Sequence, residues 1–208
     1  MKKQITNYYL PITVICYWLS VISLLFICSC NIFETRDPEP PSQSRSHFIT
    51  PTTDSLVIEN LKFAIEEKNT ENYLKCLSDS SQTGTDFIFT PSPEAQNQHE
   101  SIFREWSLLT EKNYFERLRL SAVKNSPSAL LLRNERRTYY NDSVIVAADY
   151  TLTFVHSKKF PHEARGYFEM TLGKDQSRGT WSIYRWSDFK YERDTSLTWS
   201  DWKAFFSK

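Results

Sequence analysis

Between Ser143 and His156 an apolar side chain falls at every second position: Val144, Val146, Ala148, Tyr150, Leu152 and Phe154. Alternation over so long a run commits the segment to a β-strand with one buried face, because a slip of one residue would turn every apolar group to water. The pattern repeats from Ala164 to Leu172 through Gly166, Phe168, Met170 and Leu172, and further strands are expected over Ala129–Tyr140 and Thr180–Tyr191. Asn141-Asp142 and the Gly173–Gly179 segment supply turns. Ahead of the strands the spacing is helical. Thr53 or Asp54 can cap a helix carrying Leu56, Val57, Leu61, Ala64 and Ile65, and Asn69 or Thr70 a shorter one carrying Tyr73, Leu74 and Leu77. A third helix is expected from about His99 to Leu118, with residues 78–98 a loop broken only by Phe87-Ile88-Phe89. Trp199, Trp202, Phe205 and Phe206 fit a short terminal helix.

Helices followed by a run of antiparallel strands make an α+β fold. That order, with Gly179-Thr180-Trp181-Ser182-Ile183 opening the last strand, resembles the cystatin-like cone of nuclear transport factor two and the ketosteroid isomerases. The resemblance implies three N-terminal helices packed on a curved four-stranded antiparallel sheet, with a pocket at the cone's open end and a short C-terminal aromatic helix outside the shared pattern. In isomerase-like members it further implies a carboxylate or histidine inside the cone, with a tyrosine donor beside it. Asp149, Asp188, Tyr73, Tyr114, Tyr150 and Tyr167 are the residues to examine. Asp149 alternates away from the apolar face. Asp188 shares parity with Trp186 and Tyr184, which places it near the mouth and makes it the catalytic candidate, although strand-end aspartates more commonly close turns. Tyr150 lies on the apolar face, as a core tyrosine with its hydroxyl bonded would. Tyr73, Trp106, Tyr150, Tyr167 and Trp186 are the candidate pocket or interface residues.

The first thirty residues carry an address. Lys2 and Lys3 precede a charge-free apolar run from Tyr8 to Cys30, the n-region and h-region of a secretory signal. The run ends Ile27-Cys28-Ser29-Cys30, which resembles a bacterial lipobox with the small Ser29 just before Cys30. The resemblance implies a signal peptide over 1–29, acyl chains such as palmitate on Cys30, and a place on the cell membrane or outer membrane facing the periplasm or cell surface. An uncleaved membrane helix is the alternative, since the run is long enough to span. Residues 30–52 then form a lipidated cysteine and a tether rich in proline (Pro38, Pro40, Pro41), and 53–208 a single domain. Cys16 and Cys28 leave with the leader and Cys30 carries lipid, so Cys76 has no disulfide partner and reads as a buried small side chain.

Lysine and arginine total 25 and aspartate and glutamate total 25, a balance without the surplus positive charge of a nucleic-acid binder. Four glycines are too few for a nucleotide-cradling loop architecture, and no histidine–cysteine spacing fits a zinc site, so neither metal nor cofactor is expected. Three roles stay open: a non-catalytic module holding a small apolar ligand or an envelope protein, an isomerase- or dehydratase-type enzyme, and a structural homodimer. A pocket without a convergent ionisable pair would favour binding. A buried carboxylate with a raised pKa facing a tyrosine would favour catalysis. A two-fold sheet contact above about 1,000 Å² would favour the dimer.

Overall fold

The computed structural model describes residues 46–208; the signal segment, Cys30 and most of the tether lie outside the described residues. Within them the order is α1 (Asp54–Glu66), α2 (Thr70–Lys75), α3 (Ser80–Thr83), β1 (Ile88–Thr90), α4 (Pro93–Gln98), α5 (Glu100–Phe103), α6 (Leu108–Ser121), β2 (Ser128–Tyr139), β3 (Ser143–Phe154), β4 (Glu163–Lys174), β5 (Trp181–Phe189) and α7 (Trp199–Phe206). No helix among them is long and apolar enough to cross a membrane.

The sheet has five strands, not four, in the order β1-β5-β4-β3-β2. The extra member is β1, Ile88–Thr90, inside the stretch expected as loop. Phe89 pairs in parallel with Trp186, and both side chains are buried. Three residues cannot show a period, which is why the strand was not visible. The four long strands form an antiparallel meander, with Tyr150 opposite Gly166 across β3–β4. β3 alternates between buried and partly exposed along its whole length, as its sequence requires.

The expected third helix is broken. Two short turns, α4 and α5, occupy 93–103, and α6 starts afresh at Leu108, where the Ser107 hydroxyl accepts from the Thr110 amide. α1 and α2 are capped in the same way by Thr53 and Asn69. Residues 46–52, placed in the tether on composition, are bonded to the domain: Asn60 on α1 exchanges two hydrogen bonds with the Ile49 backbone (2.9 and 2.6 Å), and the Trp181 amide donates to Pro51. Arg137 on β2 reaches back to Asp54 and Ser55 at the start of α1. That contact ties the far end of the sheet to the first helix.

One irregularity sets the interior. Leu172 pairs with Ile183 but Thr171 pairs with Arg185, so Tyr184 is an extra residue on β5. The bulge reverses parity: Ile183, Trp186 and Asp188 all point inward, and Tyr184 does not. The expectation that Asp188 shares a face with Tyr184 is therefore corrected, while its partnership with Trp186 stands.

Gly166 is the narrowest point of this packing. A methyl group there would run into the Phe189 carbonyl and stand 2.9 Å from the Tyr150 hydroxyl. Gly166→Ala is expected to destabilise the domain by about 1–3 kcal/mol, read as a lower midpoint in chemical denaturation.

Candidate functional site

α6 and α7 each carry one charged residue on an otherwise apolar stripe. On α6 the buried positions are Glu111, Tyr114, Phe115, Leu118 and Ser121; on α7 they include Trp199, Trp202, Lys203 and Phe206. Packing the two helices inside the curve of the sheet brings the charges together. Lys203 Nζ donates to Glu111 Oε1 at 2.5 Å and Oε2 at 2.6 Å, and both side chains are 0% exposed. Tyr73 on α2 donates its hydroxyl to Glu111 Oε1 (2.6 Å), and the Trp106 indole N–H donates to Oε2 (2.7 Å). Burial pulls the Lys203 ammonium down to about 8, against the pull of Glu111 that keeps it charged. Burial and the neighbouring Glu111 push the Tyr73 hydroxyl well above its ordinary value.

A second polar cluster lies at the start of α7. The Asp188 carboxylate accepts from Tyr150 Oη (2.8 Å), from the Ser200 amide (2.7 Å) and from Ser200 Oγ (2.5 Å). Tyr150 in turn accepts from the Trp199 amide at 2.6 Å, and Thr198 with Asp201 completes a reciprocal cap. Asp188 thus supplies negative charge where helical N–H groups are unpaired. Burial raises its carboxyl to about 6, opposed by the Ser200 and Tyr150 hydrogen bonds and by Lys203.

Four of the sequence-chosen residues therefore meet inside the cone. Tyr73 and Trp106 hold Glu111, while Tyr150 and Trp186 border Asp188 and α7. Tyr167 does not join them: it stacks on Phe189 at 4.7 Å on the sheet's other face. Asp149 is on that face too, bonded to Asn134 and Tyr191. Tyr114 is fully buried, and its hydroxyl accepts from the Trp199 indole at 2.9 Å. Glu111, Lys203 and Ser200 were missed. The available signal was a charge interrupting an apolar helical stripe, twice, in helices otherwise rich in aromatics.

Among the described residues the interior of the cone is filled, where the resemblance implied a pocket. Trp186, Trp199, Trp202 and Lys203 fill the interior and are fully buried. A concavity of about 620 Å³ lies outside the cone, with Phe48, Leu74, Leu108, Leu109 and Trp181 as its apolar lining and Glu71, Lys75, Asp79, Lys112 and Arg178 as its charged residues. Cys76 is buried, its thiol pushed up by desolvation. Among the described residues no cluster of three His, Cys, Asp or Glu side chains is placed to hold a metal ion.

No protein-family model matches the chain, and no curated protein matches it. Solved structures do. A candidate aromatic ring hydroxylase from Novosphingobium aromaticivorans aligns with 66% of this chain and 85% of its own at 12% identity and a TM-score of 0.50. A candidate scytalone dehydratase from the same organism aligns with 70% and 89% at 11% identity, also at 0.50. An NTF2-like protein from Cytophaga hutchinsonii is a looser likeness, 12% identical over 65% and 93% with a TM-score of 0.47. At these identities the likeness shows a shared α+β fold and nothing further.

Because the folded protein holds the Asp188 proton up to about pH 6, well above the ordinary 3.8, ionising it weakens the fold, and this contribution to stability is present at low pH and lost as pH rises between those values. Asp188→Asn, which has no such dependence, is expected to look worse relative to the unmodified protein at pH 4 than at pH 7, by up to about 3 kcal/mol, in denaturation curves at the two pH values.

Proposed function

We propose that this domain is a non-catalytic binding module, carried at the cell envelope by a lipid on Cys30. The observation that carries the non-catalytic part is the filled cone: Asp188, the one acidic candidate facing inward, is fully buried with its oxygens engaged by Tyr150 and Ser200. A general acid or base must come within hydrogen-bond reach of a substrate atom, and here α7 occupies that position. The groove that stands open in this structure is the outer one, whose volume suits a small organic ligand. Its apolar floor suits the apolar part of such a ligand, and at its rim the three bases Lys75, Lys112 and Arg178 outnumber the two acids Glu71 and Asp79, which favours an acidic head group.

A specific observation favours an enzyme as the second reading: Asp188 is a buried carboxyl with a raised pKa facing a tyrosine, 2.8 Å from Tyr150 Oη. For chemistry to follow, α7 would have to leave the cone and take the Ser200 donors with it. The enzyme names of two structural neighbours add only fold-level support.

Leu109 is 65% exposed in the groove, so Leu109→Asp should leave the fold intact. It is expected to weaken binding of an anionic apolar dye such as anilinonaphthalene sulfonate about tenfold in a fluorescence titration; unchanged affinity would exclude the groove. The anchor has a separate test. Intact mass of the membrane-extracted protein should show an N-terminus at Cys30 carrying acyl mass, absent in Cys30→Ala.

A further inference from the structure

The surroundings of Lys203 have the composition of an ammonium-recognition site. Its Nζ lies 3.8 Å from the Phe89 ring centroid and 4.0 Å from Trp186, with Trp106 and Tyr114 both at 5.6 Å. Aromatic faces at such distances attract a cation through the ring quadrupole, the device proteins use to bind free ammonium ligands. The Glu111 carboxylate completes the cage with two short hydrogen bonds.

Everything in this cage except the cation comes from elsewhere in the fold: Phe89 from β1, Trp106 from the turn before α6, Glu111 and Tyr114 from α6, Trp186 from β5. Glu111 is also positioned without Lys203, by the Tyr73 hydroxyl and the Trp106 indole. The groups that surround Nζ therefore all lie outside α7. Well-packed apolar residues in place of the pair would hold α7 as well or better, so helix packing alone does not account for a buried cation here.

We propose that the cone is a binding site for a primary alkylammonium ligand, and that Lys203 occupies it from within the chain as an internal competitor. The number of N–H groups sets the class. Two donors go to Glu111, which a quaternary ammonium cannot supply. The lysine stem sets the size, an unbranched chain of about four carbons, the length of the lysine methylene run. The site is separate from the outer groove, whose dye titration does not depend on it; opening of the cone would, however, remove the filled-cone observation behind the non-catalytic reading.

Lys203→Ala in the full chain empties the slot and strands the Glu111 charge. Adding n-butylammonium should raise the thermal midpoint of this variant by about 5 °C, saturating with concentration. Equal n-butanol or tetramethylammonium should not, and Lys203→Ala/Glu111→Gln should lose the preference for the amine. Rescue by n-butanol as large as by the amine, or rescue by neither, overturns the proposal. If Lys203→Ala does not fold alone, the same four comparisons are read as refolding yield. In the unmodified protein, n-butylammonium should speed hydrogen exchange of the α7 amides relative to n-butanol; equal exchange with both would restrict Lys203 to holding α7 and overturn its role as a competitor.

Discussion

Two opposite charges with no access to water, Glu111 and Lys203, are the constraint around which the interior is arranged. Removing an ammonium and a carboxylate from water is costly, and each is tolerable only because the other is present and hydrogen-bonded to it. Glu111 meets that condition through Tyr73, Trp106 and Lys203 together, so α2, the turn before α6, α6 and α7 are held by one carboxylate. Once Lys203 is drawn in, Trp199 and Trp202 must enter with it, since they share its side of a short helix. The filled cone follows from that arrangement.

Much of the frame was legible because long strands repeat their instruction at every second residue. β3 is the clearest case: its whole burial pattern is written in Val144 through Phe154. Helix starts were legible for a similar local reason, since Thr53 and Asn69 are side chains able to accept from an amide two or three residues on. What was not legible depends on residues far apart in the chain. Strand β1 is three residues long and exists because β5 is beside it. The bulge at Tyr184 is a mismatch between two strands, and neither strand alone records it. It reverses the parity on which the expected site geometry was built.

The site shows the same division. Tyr73, Tyr150, Trp186 and Asp188 could be chosen from type and parity, and the structure brings them inside. Tyr167 has the right type but the wrong face, because β4 presents Phe168 and Met170 inward instead. Glu111 and Lys203 lay in apolar stripes, where a charge reads as an exception until its partner is found. The partner is 92 positions away, beyond any local pattern.

A raised carboxyl pKa is often taken as the mark of a catalytic acid, and Asp188 shows why accessibility has to be weighed with it. Desolvation raises its carboxyl whether the neighbouring volume holds a substrate or a helix. Here it holds the first turn of α7, whose Ser200 amide and hydroxyl take the place a substrate donor would occupy. Three residues further along, Lys203 is fixed by Glu111, and it also lowers the Asp188 carboxyl from a distance. A helix bound at two points three residues apart has one rotation and one depth that satisfy both. Moving it would uncover two buried carboxylates at once. That coupling makes α7 an all-or-none element, so the interior is either sealed, as it is here, or opened as a whole with Asp188 and Glu111 exposed together.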